Sequence, residues 1–230
     1  MFINNIDIKT FEASVSSKLI TPTQIQMDKE KIKLIIVKTL VKKLYKKISI
    51  KILFEGLSRD VINKNISAFS SLLKDECDIK FKNLSNKFHC YVQSIEPEEP
   101  GINEWMYLNI DLDAYEYSNE VTETMNRITS KTINNIGTED TPAIVEITSS
   151  ISLVDLIITG LADDPITIKN LTADKKIIIN GEDGTVLENG INKFGDTDLW
   201  EWPRLKAGSN SITVSKNSCD ITIKYKPRYI

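Results

Sequence analysis

Apolar and polar residues alternate most clearly near the C-terminal end of the chain. Between Cys219 and Tyr225 every second residue is apolar, and the residues between them are Asp, Thr and Lys. A period of two places apolar side chains on one face of a β-strand and polar side chains on the other. A similar strand is predicted at residues 211–215, and the turn at 216–218 predicts that the two strands form a hairpin. We expect their apolar residues to face a core; these are Ile212, Val214, Ile221, Ile223 and Tyr225.

Several more short strands are predicted upstream of this pair. They are predicted at residues 143–148, 152–159 and 166–169, and the short apolar run of residues 177–179 indicates another. The pairs Asn180-Gly181 and Asp183-Gly184 are typical of tight turns. Many short strands separated by frequent turns predict a β-sandwich.

The N-terminal half also contains segments that alternate. Strands are predicted at residues 2–3, 48–54, 78–81, 87–95 and 105–117. The last two are predicted to form a hairpin, joined through an acidic, proline-rich loop that begins at residues 96–101.

Residues 27–44 fit two patterns. Ile36, Leu40 and Leu44 lie four residues apart, as on one face of a helix, but the density of β-branched residues favours strands. We predict strands here.

One helix is predicted. Ser58 is a suitable N-cap, and the apolar residues after it recur at steps of three and four until about Asp75. One helix among several strands indicates an α+β domain.

The apolar pattern fades between residues 120 and 142, and residues 134–142 resemble a linker. The sequence therefore predicts a mainly β protein with two domains. Residues 1–140 would form an α+β domain, a barrel or sandwich with one helix, and residues 141–230 a β-sandwich.

Composition excludes some classes of partner. The net charge of −3 gives no reason to expect general attraction to nucleic acid. The lysines of residues 29–51 alternate with Ile, Leu and Val and no aromatic stacking platform accompanies them, so a solvated face is expected. Asp7 lies where a secretory signal would need its apolar core, and no run of about 18 apolar residues occurs. We expect a soluble protein made in a cytoplasm, with no membrane partner.

Few residues suggest metal or nucleophilic chemistry. Cys77, Cys90 and Cys219 form no CxxC pair and have no companion histidines, so neither a disulfide framework nor a zinc site is predicted. His89 is the single histidine, and a packed or surface position in a strand is expected rather than a catalytic role.

Adjacent carboxylates and glycines have simple structural explanations. Glu98-Glu99 and Asp163-Asp164 are expected to be solvated, because a glycosidase pair must face each other from separate elements. Gly181 and Gly184 lack the helix and lysine of a phosphate loop. The sequence predicts no catalytic residue, no metal or cofactor site, and therefore no enzyme.

Two tryptophans can be interpreted in two ways. Trp200 and Trp202 could present a sugar-stacking platform on one face of a strand, or fill space in a core. We predict that both pack.

Nearly the whole chain resembles a known family, the phage distal tail proteins, which are baseplate hub proteins of tailed phages. The resemblance to their C-terminal domain rests on residues 178–186, Asn189, Gly190, 192–194, 198–200, Pro203, Leu205, Gly208, Asn210 and 221–228. Residues 54–56, 58–59, 65–67 and 113–117 are similar in type and order to the first domain of that family. Residues 31–43 show no such similarity.

The resemblance implies a structural hub in the virion tail tip. The first domains would form a homohexameric ring that joins the tail tube protein to the tail-tip protein, with a receptor-binding protein as a further candidate partner. The second domain would be a galectin-like β-sandwich, and the ring would have an acidic or neutral lumen for DNA. The resemblance supplies no catalytic residue and no cofactor. An adhesin that binds cell-wall carbohydrate through its sandwich is the alternative function.

Overall fold

A computed structural model describes residues 1–23, 25–32 and 35–230. Its contacts divide the chain into two compact units. The first contains Met1–Tyr117 together with Ile230, and the second contains Ser118–Tyr229. Each unit has its own cluster of buried apolar side chains.

The first unit combines one main sheet with a hairpin and a helix. The helix is α1 (Arg59–Ser70). The strands are β1 (Phe2–Ile3), β2 (Ile6–Asp7), β3 (Ala13–Ile20), β4 (Ile25–Ile32), β5 (Ile35–Lys43), β6 (Lys46–Glu55), β7 (Glu76–Lys80), β8 (Lys87–Glu98) and β9 (Trp105–Tyr117). The main sheet has the order β2-β1-β7-β8-β9-β6-β3, and β4 pairs with β5.

Strand β6 and helix α1 form the centre of this unit. The alternation along β6 buries Ile48, Ile50, Ile52 and Phe54 on one face, as predicted. Phe69 of α1 packs edge-on against Phe54, with ring centroids 5.2 Å apart.

The helix begins where predicted and ends earlier. The Ser58 hydroxyl accepts a hydrogen bond from the backbone N–H of Val61, which confirms the N-cap. The helix ends at Ser70 rather than near Asp75. Leu72 and Leu73 continue in tight turns whose N–H groups donate to carbonyls three residues back, and these turns carry Leu73 into the core.

The hairpin of β8 and β9 is confirmed, but the predicted loop begins too early. β8 continues through Pro97 to Glu98 and pairs there with β9. β7 pairs only with the first part of β8, up to Tyr91. Pro97 therefore lies on an edge, where its missing N–H leaves no sheet partner unsatisfied.

The strand prediction for residues 27–44 is confirmed in the described part of that segment. β4 and β5 are antiparallel partners, and the helical interpretation is wrong. Residues 33 and 34 of the predicted segment lie outside the described residues.

The second unit contains two sheets. Its strands are β10 (Val121–Asn126), β11 (Ser130–Asn135), β12 (Thr141–Ser149), β13 (Leu153–Thr159), β14 (Ile166–Leu171), β15 (Lys176–Asn180), β16 (Thr185–Glu188), β17 (Ile191–Asn192), β18 (Thr197–Asp198), β19 (Arg204–Leu205), β20 (Gly208–Val214), β21 (Cys219–Tyr225) and β22 (Arg228–Tyr229). One sheet has the order β10-β21-β12-β15-β16-β17, with β19 paired to β12, and the other has the order β11-β20-β13-β14-β18.

The two sheets share one core, so the predicted sandwich is confirmed. The five residues predicted to face the core are at most 5% exposed; they are Ile212, Val214, Ile221, Ile223 and Tyr225. The predicted hairpin across residues 216–218 is wrong, because β20 and β21 belong to opposite sheets. Both strands turn their apolar face to the same core, so alternation alone does not distinguish the two arrangements.

The segment that resembled a linker belongs to the sandwich. Met125 of β10 and Ile133 of β11 are buried in its core. Asn135 is also buried, and its amide donates hydrogen bonds to Thr141 Oγ1 at 3.2 Å and to the carbonyl of Leu205 at 3.3 Å. The division between the units lies at residues 117 and 118, so the boundary predicted at residue 140 falls inside the second unit.

Candidate functional site

His89 lies within β8, as predicted, and both of its ring nitrogens have carboxylate neighbours. Nδ1 is 3.0 Å from Asp78 and Nε2 is 3.3 Å from Glu76. The ring also stacks on Tyr115, with centroids 5.0 Å apart. These contacts fix the imidazole on the strand between two carboxylates and an aromatic ring.

One carboxylate of each adjacent pair, Glu98 and Asp163, lies beside a lysine ammonium. Lys51, 2.7 Å away, and Asn109 hold the pKa of Glu98 below its usual value. The pKa of Asp163 is lowered in the same way by Lys206 and Arg204. A general acid needs a raised pKa near the working pH, and these two groups have the opposite shift.

No group of three or more His, Cys, Asp or Glu side chains among the described residues is arranged to hold a metal ion. All three cysteines are free thiols and buried. The helices within the described ranges are too short or too polar to cross a membrane.

Gly181 and Gly184 form the turn between β15 and β16. Gly184 has a φ of +66°, which L-residues rarely adopt, and its N–H donates to the carbonyl of Asn180. A Cβ on Gly181 would lie 2.3 Å from the carbonyl oxygen of Pro203. Both glycines therefore serve the hairpin turn, as predicted.

The prediction for the tryptophans is half wrong. Trp202 packs against the sandwich core and against Phe194, with ring centroids 5.9 Å apart. Trp200 is 84% exposed. Residues 199–203 lie between β18 and β19 and are not a strand, so the two rings do not share a strand face.

We expect Trp202→Ala and Trp200→Ala to differ in their effect on stability. Loss of the half-buried Trp202 ring should lower the free energy of unfolding by about 2–3 kcal/mol, because it leaves a void beside Phe194. Loss of the exposed Trp200 ring should change it by less than about 0.5 kcal/mol. Urea denaturation followed by circular dichroism compares the two variants, and an equal loss in both would contradict the packing described here.

A shallow depression crosses β3, β6 and β9 of the first unit. Its volume is about 310 Å³, and its lining is Ser17, Lys18, Leu19, Ser49, Ile50, Lys51, Asn109, Ile110 and Asp111. The Ser49 hydroxyl donates to Asp111 at 2.6 Å, and the Lys51 ammonium donates to Glu98. These polar groups satisfy one another, which is typical of a solvated sheet face.

An exposed apolar surface lies beside the start of α1, and we call it the Leu57 patch. Leu57 is 98% exposed, and its neighbours in the patch are between 37% and 44% exposed; they are Val61, Ile102 and Trp105. Two hydrogen bonds hold the segments together. The N–H of Gly56 donates to the carbonyl of Glu104 at 3.1 Å, and the Arg59 guanidinium donates to the carbonyl of Trp105 at 3.2 Å.

The sequence segments that carry the Leu57 patch also contain four acidic residues. Glu55, Asp60, Glu99 and Glu104 are all exposed. Exposed apolar side chains on segments that hydrogen bonds hold together, with acidic residues in the same segments, are typical of a protein–protein contact.

The first unit also has unpaired strand edges. Among the described residues β3 pairs only with β6, and β4 and β5 pair only with each other. An open edge presents free N–H and C=O groups, and an isolated two-stranded hairpin is marginally stable in water. Both features favour association with another chain.

Sequence reasoning missed the Leu57 patch. Leu57 immediately precedes the N-cap, where an apolar residue commonly packs on the fourth helical residue, here Ile62. The exposure of Leu57 departs from that rule. The sequence contains no other signal for it.

Comparisons with known proteins agree with this architecture. Residues 136–229 match the family described as siphovirus-type tail component, C-terminal domain. The chain is similar to the crystal structure of SPP1 Dit (gp 19.1), described as a paradigm of the hub adsorption apparatus in phages that infect Gram-positive bacteria. The TM-score is 0.80 at 13% identity, and the alignment covers 100% of this chain and 98% of that one.

Two structures of the phage P2 baseplate in its activated conformation are also similar. The calcium form gives a TM-score of 0.58 at 14% identity over 97% of this chain and 94% of that one. The strontium form gives 0.56 at 14% identity over 95% and 92%. Comparison with curated proteins finds no match. The resemblance to phage distal tail proteins and the mainly β fold are thus confirmed.

Proposed function

We propose that this protein is a structural hub of a phage tail tip. Residues 136–229 match the C-terminal domain of siphovirus-type tail components, and the whole chain has the fold of SPP1 Dit. The similarity to the SPP1 hub carries the proposal, since it spans both units at a TM-score of 0.80. The protein then belongs to the tail of the virion.

The hub would act as a ring of identical subunits, six in number by resemblance. The first unit supplies the contacts, because it contains the Leu57 patch, the open edge of β3 and the hairpin of β4 and β5. Cyclic contacts are heterologous, so a different surface of the next subunit covers each patch, and the ring closes without leaving free ends.

The ring would bind the tail tube protein on one side and the tail-tip protein on the other. A receptor-binding protein is a further partner. A net charge of −3 suits a channel through which DNA passes without adhering. The role requires binding surfaces and no catalytic group, so we propose that the chain is not an enzyme.

The second unit would be a galectin-like sandwich attached to the ring. Its exposed Trp200 is the observation that favours the alternative function, a carbohydrate-binding adhesin. An exposed indole can stack on a sugar ring.

Analytical ultracentrifugation separates the two functions. A hub predicts that the full chain and residues 1–117 self-associate as concentration rises, that residues 118–229 stay monomeric, and that host cell-wall glycan changes none of these states. An adhesin predicts that glycan binds residues 118–229 and that the full chain stays monomeric. The second pattern would overturn the proposal.

A further inference from the structure

Two of the three cysteines face each other across neighbouring strands. Cys77 of β7 lies directly opposite Cys90 of β8 in the antiparallel register. Their exposures are 2% and 0%, and both side chains belong to the core cluster of the first unit. Both are free thiols.

The register brings the Cα atoms of the two cysteines within the range that a disulfide spans. The N–H of Val92 donates to the carbonyl of Asp75 at 3.2 Å, which marks the hydrogen-bonded pair two positions away. Hydrogen-bonded and non-hydrogen-bonded pairs alternate along an antiparallel ladder, so Cys77 and Cys90 are again a hydrogen-bonded pair, with Cα atoms about 5.5 Å apart. Disulfides span Cα separations of about 4.4–6.8 Å.

The two sulfurs also differ in reactivity. The neighbouring Cys90 thiol lowers the pKa of Cys77, while the Cys90 Sγ–H donates to the carbonyl of Phe88 at 3.6 Å. The contact with Cys77 and burial raise the pKa of Cys90. Cys77 is therefore the sulfur that reaches the thiolate first, and the thiolate is the reactive form.

We propose that Cys77 and Cys90 are an oxidation site at which a hydroperoxide produces a cross-strand disulfide. The Cys77 thiolate attacks one peroxide oxygen, an S–O bond forms, the O–O bond breaks, and the departing hydroxide takes up the proton that the thiol released, which gives water and a sulfenic acid. The Cys90 sulfur then attacks Cys77 Sγ. The S–S bond forms, the S–O bond breaks, and the hydroxyl leaves as water with the Cys90 proton. The thiol pair loses two electrons, and hydrogen peroxide is reduced to two molecules of water.

The disulfide would join β7 to β8 in the interior of the first unit. A closed loop restricts the unfolded chain, so the oxidised protein should be more stable than the reduced one. The thiols persist in a reducing cytoplasm and the disulfide persists outside the cell. This chemistry is independent of the proposed hub function.

Treatment of the full chain with hydrogen peroxide, followed by alkylation, proteolysis and mass spectrometry, tests the proposal. We expect a peptide pair linked through Cys77 and Cys90, which dithiothreitol separates again. The midpoint of thermal unfolding should rise on the order of 10 °C. Cys219 is the internal control, because Ser149 and no thiol lies opposite it, and it should stay outside any disulfide.

Single variants identify the role of each sulfur. In Cys90→Ser, dimedone should trap a sulfenic acid on Cys77, whereas Cys77→Ser should leave Cys90 unmodified. The wild-type result decides the proposal even where a variant fails to fold. Thiols that remain reduced, oxidation to sulfinic acid without a disulfide, a bridge that involves Cys219, or a lower unfolding midpoint after oxidation would each overturn it.

Discussion

Ile212→Asp is expected to unfold the second unit. Ile212 is fully buried between the two sheets, where a carboxylate has no partner. The desolvation of this charge should lower the free energy of unfolding by at least about 4 kcal/mol, which is a large share of the stability of one domain. Near-ultraviolet circular dichroism and urea denaturation measure the loss.

Ser211→Asp is the matched control for this variant. Ser211 is the preceding residue of β20, it is exposed, and its cross-strand neighbour in β11 is the uncharged Thr132. The same substitution should change the free energy of unfolding there by less than about 0.5 kcal/mol. Similar effects of the two variants would mean that the register of β20 is wrong.

Leu57→Asp is expected to weaken self-association of the full chain on the order of 30-fold. This prediction depends on the proposed ring contact. A carboxylate in the Leu57 patch would be buried against the next subunit. An unpaired polar group buried at a contact makes the free energy of association less favourable by about 2 kcal/mol. The fold should be unaffected, since Leu57 is 98% exposed. Sedimentation velocity over a concentration series gives the association constant.

Val154→Asp is the control for that measurement. Val154 is 79% exposed and lies in the second unit, which is not expected to form the ring contact. The Val154→Asp variant should self-associate with the same constant as the wild type. If Leu57→Asp associates normally, the patch is not a ring contact, although the ring could still form through other surfaces.

Strand positions were predictable from the sequence where one face of the strand is buried and the other is solvated. The bounds of β9 and β21 agree with the alternation, because each strand has one buried and one solvated face. The assignment of strands to sheets was not predictable. β20 and β21 are close in sequence and contribute to one core from opposite sheets, and the period of two is the same in either case.

Part of the second unit was not recognised from the sequence because its residues are polar. Asn135 is a typical loop residue by composition, yet it is buried and its amide and carbonyl groups bond to the surrounding backbone. A sequence pattern does not reveal whether such a side chain bonds to protein or to water. Trp200 shows the converse, because an aromatic ring expected in a core is exposed.

The interaction surface and the thiol pair depend on contacts between distant segments. The Leu57 patch requires the β8–β9 loop to meet the start of α1. Cys77 and Cys90 are 13 positions apart, and only the register of β7 and β8 places them opposite each other. Neither feature follows from spacing alone.

Electron cryo-microscopy of tail particles that contain this chain tests the proposed hub most directly. The account predicts sixfold density at the tail tip into which the first unit fits as a closed ring, with the second unit attached to it. Tail-tip density without sixfold symmetry, or density for this chain only at a site away from the tube axis, would contradict it.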